Sequence, residues 1–101
     1  MPNKEYIKRI EDFIDHELKT TSINNVVEGL NEIIIALSNH KKYSYSDRMT
    51  KPFVAKAPAY FQQLFDFIST EGSINMIFDQ SSYFFDTTID ILENKINKIL
   101  N

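Results

Sequence analysis

The sequence predicts an all-α protein: a single-domain bundle of four main helices plus a short fifth helical piece. Three observations predict it. Only two glycines and three prolines occur in 101 residues, so the chain has few turn residues and therefore few, long elements. Apolar side chains recur at three- and four-residue spacings in four separate windows. The length suits one hydrophobic core and not two.

The first helix is expected over residues 4–18. Tyr6, Ile7, Ile10, Phe13, Ile14 and Leu18 fall on one face, with charged residues between them. Pro2 or Asn3 can start it, since neither is needed as an interior donor. Thr20, Thr21 and Ser22 break the pattern, and Ser22 is a good N-cap for the next helix.

The second helix is expected over 23–39, with Ile23, Val26, Val27, Leu30, Ile33, Ile34 and Leu37 as its apolar stripe. β-branched residues make a strand at 33-IIIAL-37 the competing reading, but the period of the whole window is helical. Gly29 lies inside it. It is read as a mild propensity cost with no role, against the alternative of a close helix–helix contact. His40, Lys41 and Lys42 fall at the expected C-terminus, where positive charge complements the helix dipole.

Residues 41–57 read as a long connection, interrupted by Pro52 and Pro58, with room for one helical turn after Pro52. Pro58 suits the first position of a third helix over 58–70. Its stripe is Tyr60, Phe61, Leu64, Phe65 and Ile68, with Phe67 beside it. Gly72 is read as the residue that stops it. Ser73 then caps the short piece at 74–79, and Ser81 or Ser82 caps the last helix, 82–100. Phe85, Ile89, Leu92, Ile96 and Ile99 give that helix a seam spaced four, three, four, three.

The 43 % apolar fraction is globular, and the absence of Cys argues for a reducing compartment. No apolar run approaches a membrane span, and the N-terminus has no signal-peptide core. The expectation is a soluble, cytoplasmic protein that needs no cofactor.

Charge is the informative feature. Five of the eleven Lys and Arg lie between residues 41 and 56: Lys41, Lys42, Arg48, Lys51 and Lys56. Positions 61–94 hold six acids, Asp66, Glu71, Asp79, Asp86, Asp90 and Glu93, and no Lys or Arg. On the last helix, at about 100° per residue, Asp86, Asp90 and Glu93 fall roughly 80–140° from Phe85. They form one stripe on the shoulder of the apolar seam, and Asn97 extends it. Like charges at these spacings oppose helix formation by a few tenths of a kcal/mol per pair. Segregated charge does little for stability but steers an oppositely charged partner. Cations folded in from the 41–56 loop would cancel the field.

Motifs for nucleophilic, phosphate-binding or Cys–His chemistry are absent, so no catalytic residue is assigned and no enzyme is expected. Asp12 and His16 are four apart on the first helix, but no third ligand is spaced to complete a metal site. Arg9 sits at the edge of its helix's apolar stripe, where packing of its stem is the simpler explanation. A buried pocket holding Arg9 or Arg48 would reopen the enzyme reading.

Tyr43, Tyr45, Arg48, Met49 and Phe53 are residue types enriched at protein interfaces. The expectation is therefore a small acidic protein-binding module that masks a basic partner protein, in the manner of an immunity protein or antitoxin that inhibits a toxin such as a nuclease. Its partner-binding residues are Asp79, Asp86, Asp90 and Glu93 for charge, with Tyr43, Tyr45 and Arg48 for anchoring. Two alternatives stand beside it: a homodimeric helical adaptor or regulatory protein, and a weak single-stranded nucleic-acid binder acting through loop 41–56. The basic patch of that loop is small for nucleic acid on a chain of net charge −3.

Overall fold

Residues 4–43, 59–77 and 81–101 are described by the computed structural model, with side chains for 4–38, 61–71 and 84–101. They form four helices: α1 (Lys4–Thr20), α2 (Ile23–Tyr43), α3 (Ala59–Ile77) and α4 (Ser81–Leu100). No strand occurs among the described residues. No described helix is long and apolar enough to cross a membrane.

α1 follows its spacing. Tyr6, Ile10 and Ile14 are buried, and Phe13 and Leu18 pack against the core from its edge. The α1–α2 junction is two residues long and held by local bonds. Ser22 Oγ accepts the Asn25 N–H at 3.2 Å, the N-cap bond that leaves one fewer orphan donor. The Asn25 side-chain amide donates to Thr21 Oγ1 at 3.0 Å, and Thr21 N–H donates to Glu17 O, also at 3.0 Å.

The competing strand at 33–37 lies inside α2. Ile33, Ala36 and Leu37 are buried while Ile35 is 48 % exposed. That is helical burial; a strand would have put residues 33, 35 and 37 on one face. α2 also continues to Tyr43, beyond the expected end at 39, because nothing from Asn39 to Lys42 breaks a helix. Residues 44–58, which make up most of the expected long connection, lie outside the described residues.

α3 corrects a second boundary. It runs through Gly72 to Ile77, so Gly72 does not stop it and 74–77 continue the same helix. The separate fifth piece over 74–79 is not seen, and residues 78–80 lie outside the described residues. Glycine inside a helix costs about 1 kcal/mol relative to alanine, which is tolerable where no proline follows to enforce an end.

The four helices share one core. Its largest fully buried side chains include Phe61, Phe84, Ile10, Ile14, Leu30 and Leu92. α1 runs parallel to α4: Tyr6 meets Thr88 near the start of α4, and Asp15 meets Lys95 near its end. α1 runs antiparallel to α3, with Tyr6 near Glu71, Arg9 on Phe67 and the His16–Glu17 end beside Gln63. α2 packs most extensively on α4. Gly29 marks where α2 meets the start of α3. A Cβ there would lie 2.6 Å from Phe61 Cε2 and 3.1 Å from Cγ, so the close-contact reading of this glycine is correct and the reading without a role is not.

The one buried polar side chain of the described core is Thr88. Its hydroxyl donates to Phe84 O at 2.9 Å and lies 3.0 Å from the Tyr6 hydroxyl, which therefore donates to it. Burial pushes the Tyr6 phenol far above its ordinary value of 10.0, and the Glu71 carboxylate raises it further. The native state thus keeps this proton where the unfolded chain releases it. The associated stability is fully present below the unfolded value and falls as pH rises above it, by about 1.4 kcal/mol per pH unit. Urea midpoints at about pH 9 and about pH 11 are expected to drop further for the parent than for Tyr6→Phe, which has no phenol to ionise. Equal drops would mean that Tyr6 ionises freely in the native state.

Candidate functional site

Of the seven residues expected to bind a partner, three have described side chains. All three are on α4. Asp90 and Glu93 are exposed and Asp86 is half-buried. Tyr43 is the last residue of α2, with its side chain outside the described set. Asp79, Tyr45 and Arg48 lie outside the described residues altogether, as do Lys51 and Lys56 of the loop expected to neutralise the ridge.

The ridge sits farther from the core than the spacing implies. The buried face of α4 includes Phe84 and Thr88 as well as Phe85, Leu92 and Ile96. At about 100° per residue its centre is displaced by roughly 40° from Phe85, away from the acids. Asp90 and Glu93 therefore point outward and are not on the shoulder of the seam.

The next cation along α4 does not reach back to them. Lys95 Nζ meets Asp15 Oδ1 on α1 at 2.8 Å, with 16 % of the lysine side chain exposed against 52 % of the aspartate. This pair clasps α1 to α4. Neither Asp90 nor Glu93 has an ion-pair partner among the described residues, where Lys8–Asp12 at 3.4 Å is the other pair.

A second feature lies between α1 and α3. Arg9, Asp12, Phe13, His16 and Glu17 from α1 and Gln63 from α3 line an open groove of about 520 Å³. Helical spacing puts the α1 residues on one side of that helix. An aromatic series supports them: the Arg9 guanidinium lies 4.3 Å from the Phe67 ring centre. Phe67 stacks on Tyr6 at 5.4 Å, and Phe13 lies 6.0 Å from Phe67. Arg9 is thus held by a ring face.

The groove holds Arg9 and is open to solvent, and Arg48 lies outside the described residues. Among the described residues no three His, Cys, Asp or Glu side chains are grouped to hold a metal ion, and Asp12 with His16 stays a pair. Sequence spacing pointed to Arg9, Asp12 and His16 individually. It gave no sign of Gln63, whose place opposite them depends on how α3 packs.

The described residues define an assembly of four helices with exposed acids on α4 and a mixed-charge groove between α1 and α3. Neither a protein family, nor a characterised protein, nor a solved structure matches the chain.

Proposed function

We propose that the protein is a small acidic binding module that masks a basic partner protein, most simply as an immunity- or antitoxin-type inhibitor of a nuclease-like toxin. One observation carries the reading: Asp90 and Glu93 are exposed on a helix whose nearest cation, Lys95, is committed to Asp15. Asp90 and Glu93, without an ion-pair partner among the described residues, cost a little helix stability through i,i+3 repulsion. They are useful where an approaching surface supplies the positive charge. On a phosphate-handling partner they would take the places of substrate phosphates. Asp86 and Asp79 belong to the same acidic segment, and Tyr43, Tyr45 and Arg48 would add an anchor.

The double variant Asp90→Lys, Glu93→Lys tests this. Both side chains are exposed, so its urea midpoint should match the parent's. Immobilised parent should retain a basic protein from the native host at low salt and release it as salt rises. The double variant should associate with that protein at least about tenfold more slowly. Equal retention by parent and variant would reduce the ridge to a solvated helix face. Salt-insensitive self-association in sedimentation would instead favour the homodimeric adaptor.

A further inference from the structure

We infer that the groove between α1 and α3 is an anchor pocket for one arginine side chain of a protein partner. The inference rests on the proposed function for the source of that side chain; the pocket's chemistry rests on the groove alone. Its volume, about 520 Å³, and its open mouth suit a long side chain entering from solvent. The half-buried Phe13 ring supplies an aromatic wall for a planar cation. The molecule already shows the same contact one turn away, where Arg9 lies on Phe67.

Charge also favours a cation. Asp12 and Glu17 line the groove against a single fixed cation, Arg9, and Arg9 is engaged by Phe67. Asp12 is shared only with Lys8, in an exposed pair at 3.4 Å that holds its carboxylate weakly. The Thr20 hydroxyl is shared between Glu17 O at 3.2 Å and Glu17 Oε2 at 3.3 Å, so it holds this carboxylate only weakly. From the opposite wall, Gln63 offers an amide oxygen as a further acceptor. Guanidinium combines a flat face for Phe13 with a fork of donors for Glu17 and Gln63. Ammonium offers only a point charge, so arginine is chosen over lysine.

The test uses the full chain and acetyl-arginine amide, followed by NMR, with acetyl-citrulline amide as the neutral isostere and acetyl-lysine amide as the second cation. Saturable shifts are expected at Phe13, His16 and Gln63 for the arginine probe, weaker ones for lysine, and none for citrulline. Gln63→Lys, which places an ammonium at the mouth, should weaken the arginine probe about fivefold, and Glu17→Gln about threefold. Unchanged spectra away from the groove check that both variants fold. Citrulline binding as well as arginine, or arginine producing no localised shifts, overturns the pocket. The two readings fail separately. A chain carrying Asp90→Lys and Glu93→Lys should bind the probe like the parent whatever it does to partner capture, and loss of the probe from the unaltered chain leaves the ridge standing.

Discussion

Phe84→Ala is expected to destabilise the domain by about 3–5 kcal/mol, the range for emptying a fully buried aromatic site. Phe84 is 1 % exposed and packs from α4 across to α1. Its ring lies 5.1 Å from Tyr6 of α1 and 5.5 Å, edge-on, from Phe85. Its carbonyl accepts the Thr88 hydroxyl that in turn receives Tyr6. Removing the ring leaves a void under the Tyr6–Phe67 stack, and the rigid backbone of α4 cannot collapse to fill it. Against a total stability of about 5–15 kcal/mol for a domain of this kind, the loss is a large fraction. Phe13→Ala is the internal comparison. Phe13 is only half-buried, so its truncation opens a site that water can enter and should cost clearly less. Urea denaturation of both variants measures the difference. A Phe84→Ala loss within about 1 kcal/mol of zero would mean that α4 is not anchored through this ring.

That residue also shows where the sequence stops being legible. The four-three spacing from Phe85 identified α4, and Phe85, Leu92 and Ile96 are indeed buried. It missed Phe84 and Thr88 because a narrow seam assumes one neighbour. α4 has α2 and α3 against it and meets α1 through Thr88 and Lys95, so its buried arc is wider. The same narrow seam put Asp90 and Glu93 on the shoulder of the core, when both are exposed; Asp86 is half-buried. No spacing marks Thr88 as buried, because its partner, Tyr6, is 82 positions away. Local signals fared better. Ser22 caps α2 as its residue type predicts, and the 33–37 run follows helical burial despite its β-branched residues. Gly72 failed as a stop because glycine permits a helix end without imposing one. The groove was the least legible feature, since its two walls come from helices whose apposition no spacing encodes.

Gly29→Ala is the second large effect, and its sign separates two physical accounts. By helix propensity alone alanine should stabilise α2 by up to about 1 kcal/mol. No unusual backbone conformation at Gly29 opposes this; the obstacle is Phe61. The new Cβ would meet ring atoms on the near side, with Cγ at 3.1 Å as well as Cε2 at 2.6 Å, so turning the ring about its own axis does not clear it. Phe61 is 1 % exposed, so the whole side chain or the α2–α3 spacing must shift inside a packed core. Overpacking of this kind costs about 1–3 kcal/mol, and the net result should be a destabilised protein. In a Phe61→Ala background the obstacle is gone and only propensity remains, so the same substitution at residue 29 should raise stability. The coupling between the two sites, read from the four urea curves of a double-mutant cycle, is expected to exceed about 1 kcal/mol. If Gly29→Ala stabilises equally in both backgrounds, α2 and α3 do not approach closely at this point, and the contact that seats the start of α3 on α2 must be sought elsewhere.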